Sequence, residues 1–553
     1  MKTAKEYKDS LRDRKIKVYL KGELLDPKTL IDHPFIRGHV NSAAMTYALA
    51  GMKEYEELMT ATSHLTGKKI NRFTHIHQST DDLVKKVKML RMISQKTGTC
   101  YQRCVGFDAM NATYSVTYEI DQAMGTNYHE RFKKYLEYVQ ENDLMIAGAM
   151  TDVKGDRSLR PGQQKDPDLF VHVVEKRDDG IVIRGAKAHM TGMVNSHEML
   201  IMPTMGMKED EADYAVCCAI PVDAEGVLHI FGRQTNDDRK CEGDVDQGNA
   251  QYGIVGGECL TVLENVFVPW DRVFMCGETA FSGLLVERFA CYHRANYGGC
   301  KSGVSDVVIG AAALMADYSG YGKASHIKEK LNEMIHKEET LFACSLACSC
   351  EGKCTASGAY FVDPLLANVG KHNVTQLIYE IDRLAQDIGG GIIATMPLYA
   401  AYKVRGYSEE MLLRATALSY LVCMYIKEYS GKLSAFCGCA IAAGTGMACG
   451  LVLLRGGSTK TMAHTINNLA SSITGMICDG GNQGCTMKGI VAVDAAWQAV
   501  SLAEKQAYIY NVHGINGATP EQTMRNMGLI ASPGMVGTEK TIVEILQDKQ
   551  AKE

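Results

Sequence analysis

The sequence predicts an α+β chain: a helical part, a β part, a second helical part, and a closing segment that is mostly α. Three observations carry this. Apolar residues recur at helical spacing up to about residue 144 and again from about 279. Between them, β-branched runs alternate with turn residues. Beyond DIGGGIIATMP the chain becomes rich in small residues while keeping helical periodicity. The expected division is therefore 1–144, 145–278, 279–390 and 391–553, a β-domain between two helical ones followed by a helical tail.

Each element has its own warrant. HQSTDDLVKKVKMLRMISQKTG offers a Ser/Thr/Asp start, then an amphipathic pattern. In DLFVHVVEKRDDGIVIRGAKAH, two β-branched runs flank Asp179–Gly180, a hairpin signal. AVCCAIP, GVLHIFG and CLTVLENVFVP continue the strands. Helix returns with FSGLLVERFACYHRANYGG and SDVVIGAAALMADY, which Gly298 and Gly299 are expected to interrupt just before Cys300. Further helices are expected near 326–350, 408–430, 433–454, 459–474 and 488–506. The uncharged run 433–454 is long enough to cross a bilayer, but its Gly, Ala and Cys content favours a buried core helix.

Composition narrows the function. A net charge of -5 gives no reason to expect nucleic-acid binding. The polar start MKTAKEYKDSLRDRK does not read as a signal peptide. Nineteen cysteines in such a chain point to a reducing cytoplasm, with thiols serving as metal ligands or core residues.

Two stretches carry chemistry. GTCYQRC sets Cys100 and Cys104 four residues apart, and CYHRANYGGC sets His293 and Cys300 seven apart. Both spacings return to one face of a helix. Two facing helices would offer three thiolates and one imidazole to one point. A cubic iron–sulfur cluster normally takes four cysteines, and exchanging one for histidine changes its charge and potential. The plainer reading of a Cys pair at this spacing is a small buried hydrophobe. That reading is preferred for FACSLACSCEGKC, where Cys344, Cys348, Cys350 and Cys354 read as one thiol-rich core helix. His64, His75, His77, His129 and His172 read as core or surface residues.

GTCYQRCVGFDAMNA, AMTDVKGDRS, RGAKAHMTGMVNSHE and ERFACYHRANYGGCKSGVSDVVIGAAAL together resemble the 4-hydroxybutyryl-CoA dehydratase family, over residues 1 to about 390. That family also has vinylacetyl-CoA Δ-isomerase activity. It is related to the flavin-dependent 4-hydroxyphenylacetate hydroxylases and shares the acyl-CoA dehydrogenase fold. The resemblance implies FAD, a CoA-thioester substrate, and a [4Fe–4S] cluster held by Cys100, Cys104, His293 and Cys300. It implies flavin contacts from Met150, Thr151, Lys154, Asp156, Arg157, His189 and Thr191. His293, Tyr297, Glu258, Lys301 and Gln102 fall at active-site positions, although Tyr297 and Glu258 are as readily structural. The chemistry implied is loss of water from a 4-hydroxyacyl thioester whose β-hydrogen no carbonyl acidifies. Transient one-electron oxidation by flavin makes that hydrogen acidic, and iron takes the departing hydroxyl. The resemblance also implies a homo-tetramer from an anaerobe; composition already gives no membrane or nucleic-acid partner.

The tail departs from that family. Its stretches GYSEEMLLRATALSYLVCMYIKEYSGKLSAFCGCAIAAGTG, ITGMICDGGNQGCTMK and NMGLIASPGMVGTEKTIVEIL resemble the C-terminal part of the L-cysteine desulfidase family, relatives of iron–sulfur L-serine dehydratases. This implies a second [4Fe–4S] cluster on Cys437, Cys478 and Cys485, with Cys439 an alternative to Cys437. Gly480, Gly481 and Gly484 would let the backbone wrap it. The dehydratase family's remaining bundle helices and active-site glutamate are not expected here, and neither is the tail family's N-terminal half. The alternatives are a desulfidase or dehydratase activity of the tail, or an inactive joined pair.

Overall fold

The computed structural model describes residues 1–232, 257–318, 322–390, 392–431, 434–480 and 484–552. The helical start comprises α1 (Ala4–Arg12), α2 (Pro34–Ala50), the single turn α3 (Glu56–Met59), α4 (Thr80–Thr97), α5 (Cys104–Met124) and α6 (Tyr128–Glu141). The Ser79 side chain accepts the Asp82 backbone N–H, capping α4, and Gly98 ends it in the left-handed region at φ 62°. Short strands β1 (Val18–Leu20), β2 (Glu23–Leu24), β3 (Thr60–Thr62) and β4 (Lys69–Asn71) interrupt this part, which the sequence reading had as mostly helical. In β1, Val18 and Leu20 face the core and Tyr19 faces out, a period-2 pattern too short to register against the helices around it.

The β part contains β5 (Ile146–Ala149), β6 (His172–Lys176), β7 (Gly180–Thr191), β8 (Glu198–Ile201), β9 (Val216–Pro221), β10 (Val227–Phe231), β11 (Glu258–Pro269) and β12 (Val273–Cys276). The hairpin at Asp179–Gly180 is present, pairing His172 with Arg184 and Lys176 with Ile181. Among the described residues one sheet runs β2-β1-β10-β11-β7-β6 and a second runs β12-β9-β8-β5.

Three long helices follow: α7 (Thr279–Tyr318), α8 (Ser325–Cys350) and, after the small hairpin β13 (Lys353–Cys354) and β14 (Tyr360–Phe361), α9 (Pro364–Gly390). The tail is helical: α10 (Ile392–Arg405), α11 (Glu409–Ser430), α12 (Gly438–Leu454), α13 (Thr459–Ser472), α14 (Gly484–Glu504), α15 (Pro520–Leu529) and α16 (Val536–Lys552). The chain forms two compact units. One is Met1–Val308 with Met334–Ile381; the other is Ile309–Glu333 with Asp382–Glu553.

Several expectations are corrected. α7 runs unbroken for 40 residues through Gly298 and Gly299, so Cys300 lies inside a helix rather than at its start. The glycines mark close packing instead. A Cβ on Gly298 would come within 2.2 Å of the Leu341 carbonyl oxygen on α8, and one on Gly299 within 2.6 Å of the Val87 carbonyl oxygen on α4. The Gly298 N–H also donates to Ser345 Oγ at 3.0 Å. α8 ends at Cys350, so Cys354 belongs to the hairpin rather than to one thiol-rich helix. In the second unit α12 starts at Gly438, not 433, because Phe436 forms a bridge with Ile477. It is buried from Ala440 to Val452, and a Cβ on Gly446 would meet the Ser419 carbonyl oxygen of α11 at 2.1 Å. α14 begins at Gly484 and ends at Glu504, not at 488 and 506.

The packing role of Gly298 reverses a normal sign. Gly→Ala inside a helix ordinarily stabilises by about 0.4–1 kcal/mol. Gly310, on the same helix, has nothing within 4 Å of its Cβ position. Gly310→Ala is therefore expected to hold or raise the apparent Tm. Gly298→Ala is expected to lower stability by about 1–3 kcal/mol through overpacking. Thermal unfolding of the two variants checks this, and equal effects would contradict it.

Candidate active site

Cys104 opens α5, but Cys100 lies in the loop between α4 and α5. The expected single helix through both is thus corrected. Gly98 terminates α4, and Gln102 bends the loop at φ 56°. Buried Arg103 anchors it: its guanidinium donates to Thr46 Oγ1 at 3.0 Å, pairs with Asp143 at 3.4 Å and lies 4.0 Å from the Tyr47 ring centroid. His293 and Cys300, by contrast, do share α7 at the seven-residue spacing.

Cys100, Cys104 and Cys300 lie within electrostatic reach of one another. Burial pushes the Cys104 thiol well up and Cys300 up to about 11. Cys100 keeps an exposed face, yet the protein around it still pushes its thiol up. Its sulfur receives the Gln102 backbone N–H at 3.4 Å. Lys301 acts in the other direction, favouring the thiolates of Cys100 and Cys300. Tyr101 sits among the same three thiols, and its buried hydroxyl has no hydrogen-bond partner among the described residues.

His293 is held by neighbours the sequence reading missed. Its Nδ1 lies 2.9 Å from Asp108 Oδ2. Asp108 is fully buried, receives Lys86 Nζ at 2.5 Å on Oδ1, and receives Asn296 Nδ2 at 2.6 Å on Oδ2. Lys86 also lies over the rings of Phe107 and Tyr292. The His293 ring stacks on Phe289, and Tyr297 meets it edge-on at 5.4 Å between centroids. Burial raises the Tyr297 hydroxyl to about 12, so it keeps its proton at neutral pH. One signal for this network stood in the sequence: Lys86 falls on the apolar stripe of α4, with Leu83 and Leu90.

Glu258 begins β11, paired in register with Thr191 of β7. Its carboxylate accepts the Thr191 hydroxyl at 3.1 Å and lies 3.5 Å from His189 Nδ1. Gln102 Nε2 donates to the Gly257 carbonyl at 3.2 Å, while its buried Oε1 has no partner among the described residues. Glu258 also acts electrostatically on Cys100. The structure thus brings Gln102, Glu258, His189 and Thr191 up to the Cys100 loop.

The segment 150–157 follows β5 and is anchored at its start to β7. Buried Lys187 pairs with Asp152 at 2.8 Å and donates to the Met150 carbonyl at 2.9 Å, while the Ala188 N–H donates to the Thr151 carbonyl. Lys154 and His189 adopt left-handed backbone, at φ 74° and 57°. Asp156 and Arg157 are exposed, and Ser158 hydrogen bonds hold the Asp156 carboxyl below its usual range. Among the described residues, no hydrogen bond or ion pair joins the side chains of Met150, Thr151, Lys154, Asp156 or Arg157 to Glu258.

In the second unit, the segments around Cys437 and Cys478 pair through Cys437 N–H to Met476 O at 3.1 Å and Cys478 N–H to Ala435 O at 2.6 Å. Cys437 caps α12, and Cys439 and Cys485 are exposed in the first turns of α12 and α14. Cys439 senses both Cys478 and Cys485, whereas Cys437 senses Cys439 and Cys478. A largely apolar cavity of about 730 Å³ adjoins them, lined by Met396, Pro397, Cys439, Cys485, Ile490 and Asp494 among others. Gly480 has φ 102°, a conformation that suits glycine, and Gly481 lies outside the described residues.

Among the described residues no three His, Cys, Asp or Glu side chains are close enough to chelate one metal ion. A cubic cluster makes a different demand, because each protein ligand binds a separate iron. Three thiols within electrostatic reach of one another, a histidine oriented by a carboxylate, and a buried Tyr101 hydroxyl with no partner among the described residues fit such a group. For flavin, the fit rests on the solvent-facing ring of His189 in its left-handed backbone.

Comparison with known proteins follows the two-part organisation. Family profiles for the N-terminal and C-terminal parts of 4-hydroxyphenylacetate 3-hydroxylase match residues 3–275 and 282–412. A profile for the serine dehydratase alpha chain matches residues 388–544. The tail is 51% identical over 156 residues to a UPF0597 protein of Clostridium botulinum, covering 28% of this chain and 37% of that protein. An archaeal oxygen-tolerant 4-hydroxybutyryl-CoA dehydratase from N. maritimus is 51% identical in structure-based comparison, with a TM-score of 0.69, covering 72% of this chain and 79% of that one. The fold up to about residue 400 is accordingly that of the archaeal dehydratase, followed by a helical tail matched by the serine dehydratase alpha-chain profile. The 4-hydroxybutyryl-CoA dehydratase/vinylacetyl-CoA-Δ-isomerase of Clostridium aminobutyricum is 59% identical over 403 residues, 72% of this chain and 81% of that enzyme. On that identity and coverage, the chain belongs to the 4-hydroxybutyryl-CoA dehydratase/vinylacetyl-CoA-Δ-isomerase family.

Proposed function

We propose that this chain dehydrates 4-hydroxybutyryl-CoA to crotonyl-CoA and isomerises vinylacetyl-CoA, using FAD and a [4Fe–4S] cluster. The observation that carries this is that Cys100, Cys104 and Cys300 lie within electrostatic reach of one another while His293 is held by Asp108 of the Cys104 helix, in a chain 59% identical to such an enzyme. In this reading residues 1–144, 145–278 and 279–390 form the dehydratase part, and 391–553 the tail. Cys100, Cys104, Cys300 and His293 hold the cluster. Met150, Thr151, Lys154, Asp156, Arg157, His189 and Thr191 hold the flavin. When bound, FAD supplies one-electron oxidation of the thioester and the cluster a Lewis acid for the departing hydroxyl.

The protein's own groups do the rest. His293, with Nδ1 turned to Asp108, has Nε2 left as ligand or as base for the α-proton. Tyr297 keeps its proton and donates from the edge of the His293 ring. Lys301 supplies positive charge beside Cys100 and Cys300. Glu258, fixed by Thr191, and Gln102, whose Oε1 has no partner among the described residues, orient substrate. An activity of the tail alone is not favoured, since this chain spans only 37% of the tail's relative. The tail is read as holding a second [4Fe–4S] cluster on Cys478, Cys485 and one of Cys437 or Cys439. The family resemblance further implies a cytoplasmic homo-tetramer, which light scattering on the eluted protein measures.

The direct test is anaerobic assay of the flavin-loaded protein for crotonyl-CoA formation. Turnover is expected, and none by a protein carrying full FAD and iron would overturn the reading. Cys100→Ala is expected to strip the first cluster and abolish turnover; unchanged iron, sulfide and activity would remove Cys100 from the ligand set. The tail is tested separately. The intact chain is expected to carry about eight irons, and Cys485→Ala about four, given four irons per cubic cluster. About four irons in both would mean that no tail cluster forms.

A further inference from the structure

Asp108 is the most enclosed charge near the proposed centre. It has no solvent exposure, and its contacts come from two neighbouring helices. Lys86 on α4 reaches Oδ1 at 2.5 Å. His293 Nδ1 and Asn296 Nδ2, both on α7, reach Oδ2 at 2.9 and 2.6 Å. Asp108 itself stands on α5, one helical turn after Cys104. Three helices therefore meet at one carboxylate, and two of them also carry the thiols.

We propose that Asp108 is a positioning residue that fixes the tautomer and ring orientation of His293 and so presents Nε2 as the ligand. The inference rests on the reading of His293 as a ligand given above. A carboxylate only accepts hydrogen bonds, so the ring nitrogen facing it carries the proton. The lone pair of the neutral ring is then on Nε2, the form needed for coordination. Lys86 and Asn296 hold the carboxylate in place, because their donors leave it no other position that satisfies both. The Phe289 ring, stacked 5° from parallel with His293, restricts its rotation. Asp108 does not touch substrate in this scheme, and its effect passes through His293.

The variant that tests this is Asp108→Asn. Lys86 requires an acceptor, so the amide oxygen turns to Lys86 and the amide N–H faces His293 Nδ1. That reverses the hydrogen bond and moves the ring proton to Nε2. Protein containing [15N]histidine is loaded anaerobically with iron, sulfide and FAD, and the reduced cluster is read by electron–nuclear double resonance. The wild type is expected to show a histidine nitrogen coupled to the cluster. Asp108→Asn is expected to lose that coupling while keeping its FAD and iron, with turnover down about 10–100-fold. The same coupling at the same amplitude in Asp108→Asn would overturn the proposal and leave His293 as a ligand. No histidine coupling in the wild type would overturn the ligand reading itself, and this proposal with it. Should Asp108→Asn fail to fold, Asp108→Leu combined with Lys86→Met removes both buried charges at similar volume. It is read by the same criterion: loss of coupling supports the proposal and unchanged coupling overturns it.

Discussion

The close approach of α7 to α4 and α8 is the constraint on which the rest depends. At Gly298 and Gly299 the neighbouring backbones come so near that any side chain would collide with a carbonyl oxygen. Each helical glycine costs about 1 kcal/mol relative to alanine, so their presence in mid-helix needs a return. The return is position. With α7 pressed against α4, His293 faces Asp108, and Cys300 lies within electrostatic reach of Cys100 and Cys104. A helix standing one methyl group farther out would separate the imidazole from its carboxylate.

That carboxylate also explains an otherwise unfavourable feature. A fully buried Lys86–Asp108 pair loses much of its attraction to desolvation, and removing one partner alone typically costs about 3–5 kcal/mol. Such a pair is poor evidence for stability. It is better evidence for specification, because Asp108 is satisfied only when α4, α5 and α7 meet in one arrangement. A similar economy holds under the proposed flavin loop, where buried Lys187, paired with Asp152, pins the Met150 carbonyl.

Much of this was legible in the sequence. The order of helical and β parts, the hairpin at Asp179–Gly180, and the capped helix after Ser79 follow from local chemistry. The residues that converge were named, but the elements carrying them were exchanged. Spacing put Cys100 and Cys104 on one helix and broke the helix before Cys300, whereas the structure does the reverse. The first error comes from spacing alone, which does not show that Gly98 ends one helix and the next begins only at Cys104; the second comes from Gly298 and Gly299. A glycine reads as a local breaker, and only a tertiary neighbour reveals it as a contact. Asp108, Lys86 and Asn296 went unnoticed because a polar residue in a helical pattern reads as surface until something is known to bury it. The β1 strand shows the same limit, since its pairing with β10 joins residues some two hundred positions apart.

The tail poses a different physical problem. Its thiols are held at helix starts and at a two-stranded bridge, the kind of mixed framework that wraps an inorganic group. Its core, centred on α12, is self-consistent within its own unit. The account nevertheless stands on the first site, where iron should be found between Cys100, Cys104, Cys300 and His293. Anomalous diffraction at the iron edge, from crystals grown anaerobically from the loaded protein, tests that most directly. The account predicts a four-iron anomalous peak bounded by those four side chains. Full iron content with density elsewhere, and none at that position, would contradict it.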